Sequence, residues 1–246
     1  MNRTSDYQFT IIVPFYNEED NTAAMESKLS AYLPVCAASP ACVLFVNDGS
    51  TDGGGAIVRE ICSRHEDFFY LELESNTGLS GALKAGFDNC FSPLLGYIDA
   101  DFQTDVNDFN LLLPFAGQFE MVTGIRAKRN DGFVKRASSR FANAFRRAFT
   151  HDGVSDTGCP LKVIRTDVAR KLPMFNGMHR FLPALVQMAG GRVKQVEVRH
   201  YPRLAGKSKY HLFNRIFGPL GDCFGYRWMA KRYIDYKIKE DSLNGQ

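Results

Sequence analysis

Leu94-Leu95-Gly96-Tyr97-Ile98-Asp99-Ala100-Asp101-Phe102-Gln103 joins a short apolar run to two carboxylates and an amide. An apolar run without polar alternation predicts a strand covered on both faces, as in a parallel sheet sandwiched between helices. The carboxylates then stand at the carboxyl edge of that sheet, where open α/β sheets bind ligands. Two carboxylates this close repel each other unless a cation lies between them. Mg2+ is held by one or two carboxylates plus phosphate oxygens rather than by a full protein cage. Asp99, Asp101 and Gln103 are therefore candidate ligands for Mg2+ or Mn2+ on a diphosphate. A solvated Asp-rich turn fits this stretch alone equally well, so the rest of the chain decides.

Upstream, compact apolar runs at Phe9–Pro14, Ala41–Asn47 and Phe68–Leu73 alternate with helical spacing at Asn17–Leu33, 54–64 and Gly78–Asn89. Strand–helix alternation at this interval predicts a single doubly wound, mostly parallel sheet flanked by helices. A further strand is expected at Phe119–Gly124, and then the pattern changes. Val134–Phe149 reads as a basic amphipathic helix with Val134, Ala137, Phe141, Phe145 and Phe149 on one face. Lys135, Arg136, Arg140, Arg146 and Arg147 lie on the other face, and several of them read as solvated. Residues 178–190 look helical and Arg192–Val198 looks like a strand. The tail from Tyr201 is aromatic and basic, so residues 1–200 read as the catalytic domain and 201–246 as an attached segment.

The chain has 246 residues, enough for one large α/β domain. Its net charge of +3 conceals a split: residues 1–125 hold 5 basic and 18 acidic side chains, residues 126–246 hold 25 basic and 9 acidic. An acidic half suits a metal; a basic half suits phosphates or an anionic surface. The 6 cysteines form no Cys-x-x-Cys pair and no zinc spacing, so free thiols in a reducing compartment are expected. The N-terminus lacks a charged-then-apolar signal pattern, and no apolar stretch reaches the ~20 residues of a membrane span. These features lead us to expect a cytoplasmic, peripheral protein. From residue 203 to 239 there are 9 basic and 2 acidic residues with Phe213, Ile216, Phe217, Phe224, Tyr226 and Trp228 interleaved. That composition suits either an interfacial helix on an anionic leaflet or a helix that closes the core.

Two more motifs fall at predicted strand ends. In Val13-Pro14-Phe15-Tyr16-Asn17-Glu18, Pro14 ends the strand, Tyr16 offers a flat face and Glu18 an acceptor, a set able to hold a nucleobase and ribose. In Asn47-Asp48-Gly49-Ser50-Thr51-Asp52, Asp48 is placed to accept from a base N–H, although Asp-Gly and Ser-Thr-Asp also make good turns unaided. These motifs and Asp99-Ala100-Asp101-Phe102-Gln103 occur in order, each after a strand. Together they resemble the inverting family 2 glycosyltransferases of the nucleotide-sugar-binding A fold. The resemblance is greatest to the branch with dolichyl-phosphate mannosyltransferase and the undecaprenyl-phosphate sugar transferases. Gly124-Ile125-Arg126, Asp156-Thr157-Gly158-Cys159-Pro160-Leu161-Lys162, His179-Arg180-Phe181-Leu182-Pro183 and Arg203-Leu204-Ala205-Gly206-Lys207-Ser208-Lys209-Tyr210 resemble that branch too. Departures are the missing Lys in Asn76–Gly81, Thr104-Asp105 after the Asp pair, and Cys-Pro-Leu-Lys where many relatives have Gly-Phe-Arg.

The resemblance implies transfer of a sugar from a nucleotide-sugar, with UDP favoured over GDP, to a membrane polyprenyl phosphate. Pro14, Tyr16, Glu18, Asp48, Asp99, Gln103, Arg203 and Lys209 would bind the donor. Arg126, Arg140 and Ser208 would face the acceptor phosphate, and Asp101, Arg126 and Arg140 would carry the chemistry. A phosphate acceptor is already ionised near pH 7 and needs no strong general base. Asp156 would orient an arginine, sense the sugar or cap a helix, and His151 and His179 receive no role. An anionic membrane surface is an expected partner, a homo-oligomer is left open, and no nucleic acid is expected. The rivals are a transferase with a hydroxyl acceptor and Asp156 as its base, and a nucleotide- or nucleic-acid-binding module. No Gly-x-Gly-x-x-Gly follows the first strand, which argues against a dinucleotide oxidoreductase.

Overall fold

The computed structural model describes residues 3–126, 146–201 and 217–234. One seven-stranded sheet runs through it in the order β3-β2-β1-β4-β6-β5-β7. The strands are β1 (Phe9–Phe15), β2 (Ala41–Asn47), β3 (Phe68–Glu72), β4 (Leu94–Tyr97), β5 (Met121–Arg126), β6 (Lys162–Arg165) and β7 (Val193–Val198). Every neighbouring pair is parallel except those of β6, which runs antiparallel to β4 and to β5. The helices are α1 (Thr22–Tyr32), α2 (Gly54–Arg64), α3 (Leu79–Asn89), α4 (Phe109–Leu112), α5 (Thr166–Lys171), α6 (Leu182–Met188) and α7 (Phe217–Ala230).

All seven residues of β1 and all seven of β2 are buried. Their side chains divide between two cores: Ile11, Val13, Val43 and Phe45 pack with α1, α2 and α4, while Ile12, Leu44 and Val46 pack with α3 and α6. This two-sided burial explains the continuous apolar runs, and each such side chain contributes about 1.5–3 kcal/mol. Gly96 in β4 is a packing requirement. A Cβ there would lie 2.5 Å from the Phe9 ring and 2.9 Å from Phe109. Those two rings meet edge to face at 5.3 Å over the glycine.

The sequence pattern located the first four strands within a residue or two, and three short elements, β6, α4 and α5, escaped it. β6 has four residues and begins with a lysine, so it carries no readable period. α4 has four residues. The expected helix from Asn17 starts later, at Thr22, because Asn17 adopts φ 51° and sits in the turn before it. Most of the expected helix Val134–Phe149 lies outside the described residues; 146–150 are helical. Arg146, read as part of a solvated face, is instead buried, pairing with Asp152 and donating to the Val154 carbonyl at 2.8 Å. α7 turns Cys223 and Tyr226 into the second core, where Tyr226 stacks on Phe181 at 5.7 Å.

Candidate active site

The loops after β1 and β2 are knitted together by their own polar side chains. Asn17 Oδ1 accepts from Thr51 N at 2.7 Å, and Asn17 N donates to Ser50 Oγ at 3.0 Å. Asp52 accepts from Glu19 N at 3.1 Å, and Glu19 accepts from Gly53 N at 3.0 Å. Much of Asn-Asp-Gly-Ser-Thr-Asp is thus turn architecture. Asp48 is buried and its Oδ1 accepts from both Thr77 N (2.8 Å) and Thr77 Oγ1 (2.9 Å). It anchors the loop before α3 and stays at the sheet edge where a donor base was expected. Gly49 holds φ 67° there, with the Ser75 and Asn76 backbone under 3 Å from where a Cβ would stand. Pro14 is buried in β1, and Tyr16 and Glu18 are partly exposed just beyond it. Glu18 Oε2 accepts from Asn21 Nδ2 at 2.6 Å.

At the end of β4, Tyr97 Oη donates to Asp99 Oδ1 at 2.6 Å. Phe102 N donates to the Asp99 carbonyl at 3.2 Å, and Gln103 N donates to Asp101 Oδ1 at 3.3 Å. Between them Phe102 holds φ 46°, a left-handed backbone that costs a non-glycine residue about 1–3 kcal/mol. Its ring is 1% exposed, and that burial holds the turn in place. Burial and the neighbouring Asp101 charge push the Asp99 carboxyl up to about 6, opposed by the Tyr97 hydroxyl and by Lys162 and Arg126. Two neighbouring carboxylates suit a hard divalent cation. Among the described residues no cluster of three or more His, Cys, Asp or Glu side chains exists. Asp99 and Asp101 would therefore share any metal with oxygens of a ligand, which fits a diphosphate.

On the same sheet edge, the end of β5 presents Arg126. Its Nε and Nη2 donate to the two oxygens of Asp156 at 2.8 and 2.7 Å, and its backbone N donates to the same carboxylate at 3.2 Å. Burial works against both charges. The pairing overrides it, so the Arg126 guanidinium lies above and the Asp156 carboxyl below their ordinary values. Gly158 makes room for this: a Cβ there would stand 3.0 Å from Arg126 Nη2. Of the roles considered for Asp156, orienting an arginine is the one seen.

Lys162 was passed over in the sequence as a departure from a motif. Its side chain is buried at the start of β6, directly across from Tyr97 on β4 and Thr123 on β5. No local pattern marks it, because an antiparallel strand from a distant segment carries it there. His179 pairs with Ser80, Nδ1 to Oγ at 2.8 Å, and is a packing element beside α3. Arg140, Arg203, Ser208 and Lys209 lie outside the described residues. Gln103 lies at the site edge, its carbonyl accepting from Tyr201 N at 2.8 Å.

An acidic sheet edge with a carboxylate-held guanidinium on it has the charges to suit phosphorylated ligands. The pattern of glycosyl transferase family 2 matches residues 10–173. The chain belongs to that family, and it is a glycosyltransferase. It is 28% identical over 233 residues to a dodecaprenyl-phosphate galacturonate synthase of Rhizobium johnstonii, covering 91% of this chain and 69% of the relative. It is 30% identical over 209 residues to an undecaprenyl-phosphate 4-deoxy-4-formamido-L-arabinose transferase of Edwardsiella ictaluri, covering 84% of this chain and 64% of the relative. Thus the chain spans about two thirds of the length of these curated relatives.

Among solved structures, the Pyrobaculum calidifontis mannosyltransferase in complex with GDP-Man and Mn2+ matches with a TM-score of 0.62 at 20% identity, covering 94% of this chain and 65% of that one. The glucosyl-3-phosphoglycerate synthase of Mycobacterium tuberculosis with Mn2+ and UDP matches with a TM-score of 0.69 at 12% identity, covering 95% and 84%. The fold is the nucleotide-sugar glycosyltransferase A fold anticipated from the strand-end motifs.

Proposed function

We propose that this chain moves a sugar, with inversion, from a nucleotide-sugar, favoured as a UDP-sugar, to the phosphate of a membrane polyprenol. The carrying observation is that the Arg126–Asp156 and Asp99–Asp101 pairs share one sheet edge, near enough for the Arg126 charge to act on Asp99: the carboxylates suit a cation on a diphosphate and the guanidinium an anion. Two relatives named for polyprenyl-phosphate sugar chemistry support this acceptor, and two solved neighbours that hold Mn2+ support a divalent metal. Asp99 and Asp101 would hold Mg2+ or Mn2+, with Gln103 beside them. When bound, that ion offsets charge growing on the departing nucleotide diphosphate. Asp48, Tyr16 and Glu18 surround the base and ribose end. Arg126 holds the acceptor phosphate, joined in our reading by Arg140 and Ser208, while Arg203 and Lys209 serve the phosphates from the tail.

Asp156 is spoken for. Both its oxygens accept from Arg126, and the pairing keeps it ionised well below neutrality. A general base for a hydroxyl acceptor works best near the operating pH with a free lone pair. This observation favours a phosphate acceptor over a hydroxyl.

Residues 201–246 would serve as the membrane-facing segment on the cytoplasmic side. Phe224, Trp228 and Ile234 are 60%, 62% and 80% exposed, and Arg227, Lys231 and Arg232 stand exposed among them. Among the described residues no helix is long and apolar enough to cross a membrane.

The deciding experiment is radiolabel transfer from a panel of UDP- and GDP-sugars to undecaprenyl phosphate in detergent with Mg2+ or Mn2+. Label should enter the organic phase with one donor and be lost in Asp101→Asn and Arg126→Ala. Donor hydrolysis or transfer to a soluble acceptor, with no lipid product, would overturn the acceptor.

A further inference from the structure

We propose that Lys162 is a positioning residue of this site: its buried ammonium clamps the 157–159 turn and so fixes the Asp156–Arg126 pair against the Asp99–Asp101 edge. The proposal rests on the reading of Arg126 as the acceptor-phosphate ligand. Lys162 is 1% exposed. Its Nζ donates to the Thr157 carbonyl at 3.3 Å and to the Cys159 carbonyl, and it lies 5.8 Å from the centre of the Tyr97 ring. These contacts use an ammonium's donors and satisfy its charge through one aromatic face. The two carbonyls bracket Gly158, the glycine against which Arg126 rests.

A lysine is an expensive way to bind two carbonyls. Burial drives its ammonium toward the neutral form, and Cys159, Asp156 and Asp99 oppose that. A neutral amide would satisfy the turn without that desolvation cost. What a cation adds is its field on Asp156, the carboxylate that holds Arg126. Tyr97 closes the loop: it faces Lys162 across the strands and donates to Asp99. Among the described residues, Lys162's own hydrogen bonds go only to the turn on the Asp156–Arg126 side.

The test uses calorimetric binding of farnesyl phosphate to the protein with Mn2+ and UDP present, alongside Mn2+–UDP binding itself. Lys162→Met should weaken farnesyl phosphate at least fivefold while Mn2+–UDP changes less than twofold. Combined with Asp156→Asn it should add little further loss, because both changes free the same arginine. Lys162→Gln keeps one donor for the carbonyls and tests the charge if the methionine variant fails to fold; it should lose in the same direction. Unchanged farnesyl phosphate binding, equal weakening of both ligands, or full additivity with Asp156→Asn would overturn the proposal. A wild-type protein that binds Mn2+–UDP and no farnesyl phosphate would instead overturn the acceptor reading, and the proposal with it.

Discussion

Arg126 and Asp156 make a fork-on-fork contact with side chains only 15% and 10% exposed. In such a place the partner left behind matters more than the bond removed, since an orphaned buried charge costs about 3–5 kcal/mol. Asp156→Asn retains the shape and one acceptor. We expect it to lose about 2–3 kcal/mol in denaturant unfolding and about 10²-fold in kcat/KM, equivalent to ~2.7 kcal/mol of transition-state binding. A variant that keeps its stability, loses kcat and no longer shows the acid limb of the wild-type pH profile would revive Asp156 as a base. His179 supplies a second residue-scale prediction. Burial, then Arg180 and Lys162, lower it to about 3 from the 6.5 of an unfolded chain. Between those values the unfolded chain binds more protons, so His179 contributes stability above pH 6.5 that is lost as pH falls through the window, by at most about 1.4 kcal/mol per pH unit. Asp99 acts in the opposite sense between its ordinary value and about 6, so the comparison must be with a variant. His179→Gln should flatten the fall of Tm from pH 6.5 to pH 4; parallel curves would refute it. The Asp99–Asp101 pair was legible because both residues sit in one run of chain. Asp156 and Arg126 were each visible in a motif but their pairing was not, and Lys162 was hidden, because those contacts join segments that only the sheet brings together.

Elements with a long apolar run were legible for the same reason that they are stable. β1 and β2 are buried on both faces, so seven consecutive residues advertise each strand. β6 has four residues and its position depends on inserting between β4 and β5 in the reverse direction, which no local period encodes. That reversal has a consequence for the site: the first residue of β6, not its last, lies at the ligand edge beside Tyr97. α7 was ambiguous in the sequence between core closure and membrane contact; one face closes the core, and the other, exposed face is the one proposed for the membrane. Cys223 and Tyr226 are buried, and Tyr226 Oη donates to the Ala184 carbonyl at 3.3 Å. Tyr226→Ala should destabilise the fold by about 3–4 kcal/mol, since it opens a cavity beside Phe181. Tyr226→Phe should cost about 1 kcal/mol by leaving one carbonyl unpaired. Urea unfolding of both variants separates packing from hydrogen bonding, and equal losses would assign the whole effect to the hydroxyl.

At the scale of the molecule, the proposed roles divide along the charge split between the halves. The acidic half builds β1, β2 and β4, whose ends carry the three motifs proposed for the donor, and the basic half carries Arg126, the tail and the outer face of α7. That face alternates aromatic and cationic groups: the Arg227 guanidinium lies over Phe149 at 5.8 Å and that of Arg232 over Trp228 at 4.9 Å. Long cationic side chains that cover aromatic rings in water can swing outward to lipid headgroups while the rings enter the interface. Each Lys or Arg near an anionic leaflet contributes about 1 kcal/mol, and the attraction fades beyond a Debye length of ~8 Å at physiological salt. The protein should therefore partition onto phosphatidylglycerol-containing vesicles in sedimentation assays and release as salt rises to about 0.5 M. Replacing both Phe224 and Trp228 by Ser should reduce that partitioning about tenfold and lower Tm only by the loss of the edge-to-face contact between Phe224 and Phe149, because neither ring is buried. Transfer to a water-soluble farnesyl phosphate should then persist in the double variant, while transfer to undecaprenyl phosphate in vesicles falls. Equal binding to neutral and anionic vesicles, or equal loss with both acceptors, would move the role of α7 from lipid capture back to the core it also closes.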